Sequence, residues 1–343
     1  MEQHKRQLYL PAEWHRLQMV QLTWPHENTD WSYMLEEVER CYIELAKAIS
    51  SNTRLLVVTP DTGKTRATLE KGNVNMGNVT LFECDTNDTW ARDHAFITLL
   101  GDNVPHYIDF CFNGWGRKFQ ASLDNAINGK LYDAGIVNGE YEDCLSFVLE
   151  GGSIESDGKG TILTTSQCLL APHRNQPMDK DEIEKCLKKM LHAERVLWLN
   201  HGNLIGDDTD GHVDTVARLA PNDTIVYMQA TDAEDEQYSD LRAMEEEIAA
   251  LRTADGKQYR MIPLPSPDPI YDEDGERLPA TYANFLIMNN TILYPTYAQE
   301  ENDRKAAEML SKAFPTHDIK GIDCQALIKQ HGSLHCVTMQ YPR

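Results

Sequence analysis

The chain's 343 residues carry 54 acidic and 32 basic side chains, a net charge of −22, and 41% of positions are hydrophobic. That length can bury a sizeable core in one or two domains; the charge repels nucleic acid and anionic lipid and concentrates a small cation, although acidity of this degree also serves solubility alone. No apolar run near the start has the roughly 7 to 15 residues of a secretory signal and none later approaches the roughly 20 that cross a bilayer, so a soluble, cytoplasmic protein is expected.

Helical periodicity is clearest in WSYMLEEVERCYIELAKAIS (31–50), where Met34, Val38, Cys41, Tyr42, Leu45 and Ile49 share a face behind Asp30, a candidate cap. The β-branched or aromatic runs RLLVVTP, NVTLFEC, HAFITLL and HYIDFCF follow, and an amphipathic helical pattern starts near Phe119. Beyond it come TILTT (161–165), a helix from Met178, RVLWLN, TIVYMQ, a helix from Gln237 and YRMIPLP. NFLIMN, TILYPTY, a helix from Asn302 and a terminal CVTMQY complete the order. Strands outnumber helices about two to one, and five helix-plus-strands units predict modules of roughly 60 to 70 residues arranged in a ring. The acidic, Pro-rich stretch 266–280 reads as a surface loop, a candidate lid. No linker divides the chain, so residues 1–343 read as one catalytic domain.

Polar, glycine-flanked motifs recur at one phase of this pattern: TWARDH (89–94), LEGGS (149–153), DDTDGHVD (207–214), YANF (282–285) and HGSLHC (331–336). Such residues at strand ends suit a shared central site. His212 and Asp214, two apart, would emerge on one face of a strand. A calcium loop is excluded, since Gly211 at its sixth position would put Gly206 first and Ala217 twelfth. A metal set of His212, Asp214 and a distant cysteine stays open, but the histidine has no H-x-x-H partner. The eight cysteines form no C-x-x-C pair, so neither a zinc ribbon nor a dense disulfide framework is suggested. Most read as buried thiols. Cys336 differs in its polar approach, which places it at the start of a strand, where it and a distant histidine are a candidate nucleophile and proton-transfer partner. Glu150 stands against two glycines, where a ligand or backbone can approach closely.

With LPAEW, LTWPH, FNGWG and PHRN, these motifs resemble the agmatine deiminase family, a branch of the guanidine-modifying (pentein) superfamily that also holds the porphyromonad-type peptidylarginine deiminases. Ordered motifs cover nearly the whole chain. The resemblance implies an α/β fold, a five-bladed α/β propeller. It implies Cys336 as nucleophile, His212 as general acid and base, Asp93 and Asp214 as carboxylates gripping the guanidinium, and Glu150 as partner of the histidine. Trp90 would line the channel, Trp115 would add aromatic surface, and Asp208 would be the candidate for the far amino group of agmatine. No metal and no cofactor are implied; the partner is a small guanidinium substrate, and a homo-oligomer is expected because such relatives commonly self-associate. Two segments depart from the pattern: Gln330 to Leu334 replaces a glycine run with an asparagine, and His94-Ala95-Phe96 replaces x-Gly-Pro.

A guanidinium is planar, permanently charged and carries five donors, so two carboxylates can hold it in one plane and fix its carbon for attack. Three carboxylates in one site disfavour a further anion, so the Cys336 thiol is expected above its ordinary pKa of about 8.5 until a cation binds. The expected reaction converts agmatine to N-carbamoylputrescine and ammonia through a thiouronium. Its rivals are deimination of peptidyl or free arginine, and a propeller that only binds polyamines or guanidinium ions.

Overall fold

The computed structural model describes residues 8–101 and 104–343. Its strands form five sheets of one recurring design. β1 (Leu17–Thr23), β2 (Arg54–Thr59) and β3 (Val79–Glu83) belong to the first sheet; β4 (Ile97–Leu99), β5 (His106–Cys111) and β6 (Glu140–Val148) make the second. β7 (Ile154–Ser156), β8 (Thr161–Thr165) and β9 (Arg195–Leu199) make the third, and β10 (Ala217–Ala220), β11 (Thr224–Met228) and β12 (Arg260–Leu264) the fourth. β13 (Leu286–Met288), β14 (Thr291–Thr296) and β15 (Asp318–Asp323) form the fifth, after which β16 (Thr338–Pro342) returns to pair with β1. Each sheet opens with an antiparallel pair and adds a parallel strand, and the first adds a second, β3 on β2.

A parallel neighbour requires a crossover, usually a helix. The helices supply it: α1 (Leu35–Ser50) between β1 and β2, α2 (Thr62–Lys71) between β2 and β3, α3 (Ile127–Asp133) between β5 and β6. α4 (Lys180–Met190), α5 (Tyr238–Ala250) and α6 (Glu300–Ala313) do the same for the last three sheets. α4 shows why such a segment is helical. The Asp179 side chain accepts from the Glu182 amide at 3.0 Å, Glu182 reciprocates on the Asp179 amide, and Ile183 and Leu187 are buried on one face.

Hydrogen bonds join each blade to the next. The Arg92 amide donates to Cys336 O at 3.1 Å, the Gly152 amide to Asp93 Oδ1 at 3.0 Å, and the Leu219 amide to Glu155 Oε2 at 2.9 Å. Arg218 Nη1 donates to Ala283 O at 3.0 Å, and the His335 amide returns to Asn284 Oδ1 at 2.8 Å. The five-bladed α/β propeller that the resemblance implies is the fold, and it agrees with the five modules of the sequence pattern; the fifth blade is followed by β16, which pairs with β1 in the first sheet.

Several local expectations differ. Asp30 does not cap α1, which begins at Leu35 after a 3-10 turn. The helix expected from Phe119 spans only 127–133, and α2 was not anticipated because its sequence TGKTRATLEK buries only Thr65 and Leu69. Strands β6 and β15 escaped notice because their outer-edge sequences, EYEDCLSFV and DIKGID, are largely exposed and acidic. β1, β7 and β10 lack a β-branched run long enough to register. Segment 266–280 has one isolated bridge, Tyr271 to Arg277, and Arg277 is clamped to Asp235 by two bonds of 2.8 Å.

Candidate active site

The propeller brings together what the sequence scatters. The residue or pair that precedes the first strand of each blade points to one centre: Asp93 before β4, Glu150 before β7, His212 and Asp214 before β10, Asn284 before β13 and Cys336 before β16. The His212 and Asp214 expectation needs correction in one respect, since the segment is a 3-10 turn (Val213–Thr215) and not a strand. The turn still directs both side chains inward, because a Cβ built on Gly152 would stand 2.6 Å from His212 Nδ1, 2.9 Å from Asp93 Oδ1 and 3.1 Å from Asp214 Oδ2. Gly152 is the floor on which all three converge.

The two aspartates differ electrostatically. Asp93 accepts from uncharged donors, Trp115 Nε1 at 3.0 Å and the Gly152 amide at 3.0 Å; burial, then Asp214, then Glu150 raise its pKa well above the usual carboxylate range. Burial also opposes charge on Asp214, but the His335 hydrogen bond, with His335, His212 and Arg218 nearby, holds that carboxyl below its ordinary value. Asp214 Oδ1 and both ring nitrogens of His212 are buried without a hydrogen-bond partner, which is costly unless something binds between them. Burial lowers the His212 pKa to about 3, so its imidazole is neutral. Burial, then Asp214 and Asp93, push the Cys336 thiol well up, in the direction expected from the clustered carboxylates. The sulfur donates to Asn284 Oδ1 at 3.4 Å, and the same oxygen accepts from the amides of His335 and Cys336.

Glu150 is not hydrogen-bonded to His212. It is fully buried and held by Arg174 Nε at 3.0 and 3.3 Å, while Arg174 also reaches Asp210 Oδ2 at 2.6 Å and Thr209 O at 2.7 Å. Arg174 thereby ties the glutamate to the loop that carries His212. Atoms of Glu150, Cys168 and His212 lie within 4.8 Å of one another, the one grouping of metal-donor type among the described residues. The guanidinium already seated on Glu150 makes it a poor cation site.

Cys336 and Asp93 lie at the bottom of a narrow cleft walled by Trp90 and Trp115. Its mouth carries Asp30, Asp88, Asp208 and His331, and among the described residues no lysine or arginine lines it. Trp90 and Trp115 meet edge to face with ring centres 6.3 Å apart. Asp88 accepts from Trp90 Nε1 at 2.8 Å and Trp31 Nε1 at 3.1 Å, which fixes the channel ring. Trp115 sits at φ 52°, between Gly114 and Gly116 at 69° and 83°, a strained turn that turns the indole onto Asp93. The altered approach to Cys336 has its own logic, because a Cβ on Gly332 would fall 2.0 Å from the Trp90 ring. The altered His94 is buried away from the cleft and meets Thr23 Oγ1 at 3.1 Å. Burial, then Asp207, raises Asp208 to about 6 against the pull of His331 and Lys118. Segment 266–280 packs on Gly206, but none of its residues lines the cleft.

Sequence reasoning gave no role to three contributors, Arg174, Asn284 and His335. Asn284 and His335 lie in the polar motifs YANF and HGSLHC and Arg174 in PHRN, which entered only through the resemblance, and nothing in the spacing says which member faces inward.

A family model described as Porphyromonas-type peptidyl-arginine deiminase matches residues 9–342. A solved structure from Porphyromonas gingivalis, named a "Putative Arginine Deiminase", is 49% identical, covers 98% of this chain and 99% of that one, and has a TM-score of 0.93. The C. jejuni agmatine deiminase, solved as a Cys-to-Ser variant with substrate bound, is 37% identical over 100% of this chain and 98% of that one, with a TM-score of 0.90. A Legionella pneumophila (strain Paris) protein named "Putative agmatine deiminase" is 33% identical over 98% of this chain and 95% of its own. A dimethylarginine dimethylaminohydrolase, 10% identical at a TM-score of 0.50 over 95% of this chain and 100% of that one, shares the fold alone. No helix among the described residues is long and apolar enough to cross a membrane.

Proposed function

The chain belongs to the Porphyromonas-type peptidyl-arginine deiminase family and is an enzyme of guanidine deimination, and on that premise we propose that it hydrolyses agmatine to N-carbamoylputrescine and ammonia with Cys336 as nucleophile. The observation that carries the choice is the cleft itself: it ends at Cys336 and Asp93, its mouth is lined by Asp30, Asp88 and Asp208, and among the described residues no lysine or arginine lines it. A dication with a guanidinium at one end and an ammonium at the other matches both ends. Free arginine would bring its carboxylate to a mouth of three aspartates, where the nearby Lys118 is already engaged by Asp208 O and Asp210.

In the proposed reaction Asp93 and Asp214 take the guanidinium between them and orient its carbon toward the sulfur. The thiol proton passes to His212 as Cys336 Sγ bonds to that carbon, giving a tetrahedral adduct. His212 returns the proton to a departing –NH2, ammonia leaves, and a thiouronium remains on Cys336. Water then adds and His212 accepts one of its protons; collapse of the second adduct breaks the C–S bond as the adduct's hydroxyl proton passes to the departing sulfur, which frees the ureido product and restores the thiol, and the proton on His212 is released to leave as ammonium with the ammonia. Arg174 and Glu150 brace the loop that carries His212. With the Cys336 thiol held well above its ordinary pKa and the His212 imidazole neutral, ionisation awaits the substrate, whose positive charge enters between the carboxylates.

Ammonia release from agmatine, arginine and a blocked arginyl peptide tests the reading. Agmatine should give the highest kcat/KM, and Cys336→Ala should abolish release. Preference for arginine or the peptide would replace the substrate assignment, and binding of agmatine without ammonia release by wild type would make the protein a binder.

A further inference from the structure

The histidine beside the nucleophile is buried, faces away from the cleft and has no part in the reaction above. Its Nδ1 lies 2.7 Å from Asp214 Oδ2, and its Nε2 lies 3.1 Å from Arg218 Nη2 and 2.9 and 3.0 Å from the two oxygens of Glu13. A carboxylate only accepts, so Nδ1 carries the proton toward Asp214. At Nε2 the neighbours make opposite demands: Arg218 only donates and calls for a lone pair there, whereas the Glu13 carboxylate only accepts and calls for a proton. Burial and the charges of Arg218 and Arg92 work against a second proton on the ring, which Glu13 and Asp214 favour. Nδ1–H points at Asp214 in either form.

The outer half of this arrangement is anchored. Arg218 is fully buried, paired with Glu13 and Glu155, and donates to Ala283 O and Phe285 O. Glu13 also holds Arg92 Nη1 at 3.1 Å and accepts from Gln340 Nε2 at 3.0 Å. The backbone of His335 is pinned by Asn284, whose Oδ1 holds the Cys336 amide as well. Of the two carboxylates that face the guanidinium position, only Asp214 has such a backing. Its Oδ2 is committed to His335, and its Oδ1 is left as the free acceptor.

We infer that His335 is a positioning residue: through an Arg218–His335–Asp214 relay it fixes the rotamer and charge of Asp214 and so presents Oδ1 to the guanidinium. The inference rests on the proposed function for what Asp214 grips, while the relay itself is a matter of buried donors and acceptors. Its consequence concerns binding of ground state and transition state alike, because the guanidinium is planar and cationic before attack and the carboxylate is preorganised for it. The adjacency of His335 and Cys336 then has a reason, since one turn before β16 sets both the nucleophile and the carboxylate that aims its target.

The test compares His335→Asn, His335→Gln and His335→Ala. An asparagine amide places an N–H where Nδ1 stood; glutamine fills similar volume but places its amide nearer the Nε2 position. The Gln and Ala variants should raise KM for agmatine by roughly 10- to 100-fold, the loss of one charge-assisted hydrogen bond, with kcat changed by less than about 3-fold as expected for uniform binding. His335→Asn should recover most of that loss. Agmatine affinity, measured by calorimetry on the same variants in a Cys336→Ser background, should follow the same order. Should the alanine variant not fold, Asn and Gln decide between them. Equal impairment of Asn and Gln, an unchanged KM in Gln, or a fall confined to kcat would overturn the inference. Wild type that releases no ammonia while the affinities keep this order would sink the proposed function and leave the relay standing.

Discussion

Gly152→Ala isolates the geometry of the site from its chemistry, since it removes no functional group. The added methyl would stand 2.6 Å from His212 Nδ1 and 2.9 Å from Asp93 Oδ1, whereas ordinary contact begins at 3.4 Å, so the imidazole must retreat by about 0.8 Å and the carboxylate by about 0.5 Å. All three neighbours are fully or almost fully buried side chains with little room to move. Misplacement on this scale costs on the order of 10²-fold in rate, and overpacking costs about 1–3 kcal/mol of stability. Gly152 does not have the positive φ that would make any side chain strained. Ammonia release from agmatine gives kcat/KM, and thermal unfolding gives the stability. Gly129→Ala in α3 is the control, because a Cβ there meets nothing within 4 Å. A Gly152→Ala enzyme within about 3-fold of wild type, with normal unfolding, would refute the convergence of Asp93, His212 and Asp214 on this residue as the reacting geometry.

Three further outcomes are expected. Asp208 has its pKa raised to about 6, so it is charged above that value and neutral below it; KM for agmatine should rise as pH falls through about 6, and Asp208→Asn should show a high KM without this limb. Iodoacetamide labelling of Cys336 should have a high apparent thiol pKa, in line with burial and the neighbouring aspartates, and an inert guanidinium ligand should lower it, which labelling rates against pH will detect. Arg174→Met strands a fully buried Glu150 without its cation and should destabilise the protein by about 3–5 kcal/mol, read by denaturant unfolding, with glutamine at position 150 in the same chain restoring part of the loss.

Legibility in the sequence followed burial. Helices with one greasy face, such as α1 and α4, and strands buried along their length, such as β8 and β11, advertise their period, because each must hide apolar side chains from water. The edge strands β6 and β15 face solvent and lie beside only one partner, so their acidic sequences give no such signal. The turn at 213–215 was misread as a strand because two-residue spacing aligns side chains in more than one backbone conformation, and only the surrounding blades select between them.

The same division runs through the site. Residue types alone determined the chemistry available: a thiol, an imidazole and carboxylates in glycine-flanked motifs at a repeating phase, within a chain whose charge favours a cation. Tertiary structure decided which partner each one has. Glu150 went to Arg174, Asp214 to His335, and Asp93 to an indole and an amide. Those choices set opposite pKa directions for two chemically identical aspartates, because a carboxylate's charge depends on distances to dipoles and ions supplied by residues remote in sequence, which leave no trace in its neighbours along the chain.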